Sequence, residues 1–277
     1  MNDLPLVSIL TALYNHEQYI KETLDSVLTE EYVNKELIII NDGSIDGSEQ
    51  VVKEWIKNNG HRIHTEYIYR ANKGVCATAN ELINRSNGKY ILWLPSDDVL
   101  TNNTLAERVR LLESNPNKLV LLSDAAVIDT NSQIIARSSM ERHCVDKGNY
   151  HNFDGILKQT ITGLGISGAT LLMNREIYNE VGLYPEGLAA EDWYFFQRAA
   201  SKGRILFWDR IVSFYRIHNT NASHALNYKI FGSIIISFLK NYKCFPNKYK
   251  PLAAKQVIKF SMIYLKVRAK ALIHELR

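Results

Sequence analysis

Over its first hundred residues the chain switches repeatedly between two hydrophobic periods. Residues 6–11 are a short, mostly apolar run of β formers. Residues 17–28 place Ile20, Leu24, Val27 and Leu28 at helical spacing, and Asn15 and Gln18 in front of them are spaced as a capping box. Residues 36–40 (ELIII) read as a strand buried on both faces. Residues 49–57 are helical and Gly60 stops them; residues 62–69 alternate as a strand. Residues 74–84 are helical again, and residues 89–94 (KYILWL) form a fourth strand. The order β-α-β-α-β-α-β calls for crossover connections and an α/β fold with a mainly parallel sheet flanked by helices.

The pattern continues less regularly. It predicts a helix over 104–114, a strand over 119–123, an irregular stretch over 124–158 and a strand over 167–173. A helix follows over 191–200, ended by Gly203, then one or two strands over 204–216. From residue 228 come two basic amphipathic helices broken near Pro246 and Pro251. This divides the chain into residues 1–100, a second half of the same domain over 101–227, and a helical tail over 228–277.

Ligands of parallel α/β sheets bind beyond the carboxyl ends of the strands. Here those ends read Ala12-Leu13-Tyr14-Asn15, Asn41-Asp42-Gly43-Ser44, Arg70-Ala71-Asn72-Lys73-Gly74 and Ser96-Asp97-Asp98. Two adjacent carboxylates at a buried strand end repel unless a cation meets them. A divalent ion shared with substrate phosphates is one such partner; capping of the next helix by Ser96 and Asp97 is the other explanation. Asp42 sits in a glycine-containing loop that a ligand could approach closely. Glu191 and Asp192 open a helix, where the dipole favours negative charge. Asp192 could also act as a general base, with Trp193 offering a face to a sugar. His218 alone points to nothing specific.

Composition narrows the setting. Apolar residues make up 46% of the chain and charged residues 22%, an ordinary globular mix. Cys76, Cys144 and Cys244 are scattered and odd in number, which argues for a reducing compartment and against a thiolate metal site. No secretory signal is legible, and the longest apolar run, 230–239, falls well short of the ~20 residues of a spanning helix. The net charge of +4 divides unevenly: residues 229–277 carry eleven Lys or Arg against Glu275 alone. Such a tail suits an anionic membrane surface, or a solvated face packed on the core. The acidic strand ends argue against nucleic acid as a partner.

Together the segments resemble family-2 glycosyltransferases of the GT-A fold. The resemblance is carried, in order, by 7–15 (VSILTALYN), 36–48 (ELIIINDGSIDGS), 72–80, 88–98 (GKYILWLPSDD), 182–192 (GLYPEGLAAED) and 215–223 (YRIHNTNAS). It implies a Rossmann-like sheet with a C-terminal helical extension and a nucleoside-diphosphate sugar donor, with UDP expected. It implies that Ala12, Tyr14, Asp42, Arg70, Asn72 and Asp97 bind the nucleotide-sugar. Asp98 and His218 would hold Mn2+ or Mg2+, Asp192 would be the catalytic base, and Glu191 and Trp193 would meet the acceptor. The acceptor would be a saccharide or lipid-linked saccharide, as in bacterial surface-polysaccharide synthesis, at the cytoplasmic membrane face. An inverting transfer is expected.

Three positions depart from the family pattern. Ala12 stands where proline is common, Pro95 replaces the first aspartate of a D-x-D-D run, and Ala79 stands where arginine often precedes Asn80. The absence of Q-x-x-R-W argues against a processive polymerase. A sugar-nucleotide pyrophosphorylase would carry a glycine-rich basic loop where this chain has Ala12-Leu13-Tyr14-Asn15-His16. A non-catalytic binding module on the same fold is the remaining alternative.

Overall fold

A computed structural model of the chain describes residues 4–143, 145–219, 221 and 228–275. Cys144 and the motif positions Thr220, Ala222 and Ser223 lie outside the described residues.

The first seven elements follow the predicted order: β1 (Val7–Leu13), α1 (Ile20–Thr29), β2 (Lys35–Asn41), α2 (Ser48–Asn59), β3 (His64–Tyr69), α3 (Val75–Arg85) and β4 (Tyr90–Trp93). Their strands pair in parallel in the order β3-β2-β1-β4. Register explains why β1 and β2 carry apolar residues on both faces. Ile9 and Leu37 face α1, α2 and a core with Leu24, Val27, Val52 and Trp55. Leu10 and Ile38 face the other side, against Ala79, Leu82 and Ile83 of α3. A strand covered on both faces has no polar side to present.

The chain continues through β5 (Val99–Leu100), α4 (Leu105–Glu113), β6 (Val120–Ile128), β7 (Ile134–Ala136), α5 (Ser139–Arg142), α6 (Phe153–Thr162), β8 (Leu171–Asn174), α7 (Ile177–Val181), α8 (Glu191–Ser201) and β9 (Ile205–Arg216). Here short antiparallel pairs join the longer parallel ones. β8 inserts antiparallel between β4 and β6, β5 pairs antiparallel with β9 and β7 with β6, while β6 and β9 pair in parallel, so beyond β4 the sheet is mixed. Strand β6 also runs five residues past its predicted end. Its Asp124 is completely buried, which in sequence reads as a loop. Lys147 Nζ at 2.8 Å and the backbone N–H of Ala125 at 2.8 Å satisfy the carboxylate within the strand.

The tail forms α9 (Tyr228–Asn241) and α10 (Lys250–Glu275). Pro246 lies in the break, whereas Pro251 sits in the first turn of α10, where its missing N–H has no partner to lose. Phe238, Phe245, Ala253 and Phe260 are buried in the same core as α8, so the tail packs on the domain.

Candidate functional site

The parallel register aligns the carboxyl ends of β1, β2 and β4 on one edge. There they surround a cleft of about 540 Å³. Ala12, Tyr14 and His16 line it from the end of β1, and Asp42 lines it from β2. Asn72 and Gly74 come from the loop before α3, and Trp93, Pro95, Ser96 and Asp97 from β4. Glu191 and Asp192 close it from the start of α8.

The Asn15 capping box does not form. Asn15 adopts φ 54°, its side chain accepts from the Ile45 N–H at 2.8 Å, and its own N–H donates to Ser44 at 2.9 Å. It therefore ties the loop after β1 to the loop after β2. Asp42 holds the next loop: its carboxylate accepts from the N–H groups of Lys73 (2.8 Å) and Gly74 (3.0 Å) and from the Arg70 guanidinium. Arg70 is placed behind Asp42 and does not line the cleft. Its remaining donors go to Glu81 at 3.0 Å and Thr78 at 2.8 Å. Arg70 thus braces Asp42 from behind, rather than lining the cleft among the other residues expected at the nucleotide. Asn80, from the third motif, clamps the loop before α8 by exchanging two hydrogen bonds with the backbone of Tyr184, at 2.9 and 3.0 Å.

The two aspartates after β4 part company. Asp98, expected to hold the metal, turns away from the cleft and is 1% exposed. One of its oxygens accepts from the Arg216 N–H at 3.0 Å and the other from the Ser167 hydroxyl at 3.1 Å. Burial, and then the Asp97 charge, hold its pKa well above the usual carboxylate range. Asp97 faces the cleft instead. His218 Nε2 lies 2.9 Å from its Oδ2, the Asn221 amide donates to the same oxygen at 3.3 Å, and His16 Nε2 lies 4.0 Å away.

His16, Asp97 and His218 each present one ligand atom within 4.8 Å of the others, the candidate metal cluster among the described residues. The set fits a divalent ion chemically: one carboxylate and two imidazoles, one ring stacked on Tyr19 at 4.8 Å. His16 Nδ1 lies 2.8 Å from the Ser96 hydroxyl, which orients its ring with Nε2 toward Asp97. Burial lowers the His16 pKa, favouring the neutral imidazole that a metal needs.

On the opposite wall, burial and then the Asp192 charge push the Glu191 carboxyl up to about 7. Burial also raises Asp192, one of whose oxygens accepts from the Trp193 N–H at 2.8 Å. Trp193 itself is outside the cleft. Its half-buried ring packs against Phe238 at 5.8 Å and Phe260 at 5.4 Å, on the tail helices rather than in the cleft where the sequence reading sets it. Trp93 and Tyr184, with ring centroids 6.2 Å apart, supply the aromatic wall beside the two acids. Sequence reasoning passes over His16, Trp93 and Asn221. His16 follows a strand end, a signal that was present; Trp93 is indistinguishable in sequence from core.

Residues 8–182 match the sequence profile of glycosyl transferase family 2. The chain is 28% identical over 190 residues to the poly-β-1,6-N-acetyl-D-glucosamine synthase of Staphylococcus epidermidis, covering 67% of this chain and 43% of that one. It superposes on S. aureus TarS 1–349 in complex with UDP-GlcNAc with a TM-score of 0.65 at 17% identity, covering 95% and 83% of the two chains. It also superposes on the mannosyltransferase PcManGT of Pyrobaculum calidifontis, in complex with GDP-Man and Mn2+, with a TM-score of 0.67 at 15% identity, covering 98% and 76%. The fold is GT-A.

Proposed function

This chain belongs to glycosyl transferase family 2, and we propose that it moves a hexosyl or N-acetylhexosaminyl unit from a nucleoside-diphosphate sugar to an acceptor hydroxyl, with inversion. The observation that carries this reading is the convergence of Asp42, Asp97 and Asp192 on one cleft, with two histidines beside Asp97. Ala12, Tyr14, Asp42 and Asn72 form the nucleotide end. UDP is the proposed nucleotide, a choice supported by the UDP-GlcNAc bound to TarS. Asp97, His218 and His16 would hold a divalent cation, which when bound would neutralise charge on the departing diphosphate. The two nitrogen donors favour Mn2+ over Mg2+, which takes nearly all-oxygen shells.

Asp192 accepts the proton of the acceptor hydroxyl as its oxygen attacks the anomeric carbon. The bond from that carbon to the diphosphate breaks on the opposite face, so a single displacement inverts the configuration. Burial makes Asp192 a stronger base than an exposed carboxylate. Glu191 contacts the acceptor beside it, and Trp93 and Tyr184 give the sugar an apolar wall. A saccharide or lipid-linked saccharide in bacterial surface-polysaccharide synthesis, at the cytoplasmic membrane face, is the acceptor class we favour. Similarity to the S. epidermidis synthase supports it.

The test is a panel of sugar nucleotides assayed with Mn2+, Mg2+ or chelator. Metal-dependent release of the nucleoside diphosphate from one donor is expected. Pro95 at the cleft wall favours one rival, a module that binds donor without turning it over. Tight donor binding with no release under any metal would establish that rival.

A further inference from the structure

Helix α10 has two apolar faces, and the protein uses one. Ala253 and Phe260 are buried against the domain, Phe260 meeting the rings of Phe231, Phe238 and Trp193. On the opposite side Ile258, Met262, Leu265 and Leu272 follow one another at spacings of four, three and seven, which stacks them in one stripe. They are 62%, 63%, 65% and 47% exposed. Helical geometry sets Lys255, Lys259, Lys266 and Lys270 along one flank of this stripe and Arg268 along the other. No helix among the described residues is long and apolar enough to cross a membrane.

We propose that this outer stripe of α10 docks on an anionic lipid bilayer, with Ile258, Met262, Leu265 and Leu272 in the acyl boundary and the flanking lysines on the headgroups. The spacing would equally suit a helix–helix seam, but the charge decides against a second copy. In an antiparallel pair the Lys259 and Lys266 flanks of two copies would face each other, and in a parallel pair they would face the Arg268 flank, so like charges meet in either orientation. An anionic surface meets apolar and basic residues at once. The inner face fixes how the domain sits: Trp193 is next to Asp192 in the chain and rests on Phe260, so docking through α10 holds the cleft at a set height above the lipid. This inference stands on the tail alone and does not require the proposed transfer.

The experiment is flotation of the full chain with vesicles of phosphatidylcholine, with and without phosphatidylglycerol, at low and high salt. The parent chain should float with the phosphatidylglycerol vesicles and release at high salt. Leu265→Ser with Met262→Ser should lower partitioning by roughly tenfold or more. Each of Lys259→Gln and Lys266→Gln should lower it about fivefold. All four positions are exposed, so unchanged thermal unfolding checks that the variants fold. Equal flotation on neutral vesicles, or none on anionic ones, overturns the proposal. So does a dimer in light scattering that Leu265→Ser dissolves, because the stripe would then belong to a second copy.

Discussion

Asp97 Oδ2 and His218 Nε2 lie 2.9 Å apart although 121 positions separate them in the chain. The short strand β5 produces the contact. It pairs antiparallel with β9, Val99 opposite Phe214, and so lays the turn after β4 against the end of β9. The same pairing brings the Arg216 N–H to one oxygen of Asp98, the Ser167 hydroxyl ahead of β8 takes the other, and Asp97 is left to the cleft.

The metal prediction follows from that division. Asp97→Asn and His218→Ala should each raise the Mn2+ concentration needed for donor release by at least roughly 10–100-fold, the cost seen even for outer partners of metal ligands. His16→Ala should act in the same direction. Asp98→Asn should lower the melting temperature and leave the Mn2+ requirement near that of the parent. A Mn2+ titration of the four variants checks this; loss of metal dependence in Asp98→Asn alone would reverse the assignment.

For the base, Asp192→Asn should cut turnover by roughly 10²–10⁴-fold, the usual contribution of general-base catalysis. Donor affinity, read by calorimetry, should hardly change because Asp42 and Asp97 remain. Near-normal turnover would remove Asp192 from the role.

Glu191 links the site to stability. Its pKa in the fold is about 7 against an ordinary 4.5, so the folded state holds a proton that the unfolded chain has released. The associated stability is complete below the unfolded value and is lost as pH rises through the folded one. Glu191→Gln should therefore melt at a higher temperature than the parent at about pH 8 and alongside it at about pH 4. A melting difference that ignored pH would contradict the cause given for the shift.

Trp193 is tested by separating packing from recognition. Trp193→Ala should cost about 3 kcal/mol of stability, since it opens a cavity beside Phe238 and Phe260. Trp193→Phe should recover most of it, with an acceptor KM close to that of the parent. A selective rise of KM in Trp193→Phe, with stability intact, would return this residue to the acceptor.

The first seven elements and the cleft edge were legible because each depends on local pattern: period, glycine and strand-end polarity in a stretch of about ten residues. By sequence alone the chain committed itself to parallel β-α units, to acids at the strand ends and to a basic tail. Tertiary structure decided which of Asp97 and Asp98 faces inward, that His16 joins Asp97 and His218, that Trp193 packs on the core, and which side of α10 stays open. Each of those outcomes is set by a partner far away in the chain, such as Arg216 for Asp98 or Phe260 for Trp193. Adjacent side chains on a turn point in different directions. Which of them a distant segment covers is a property of packing, and no local period records it.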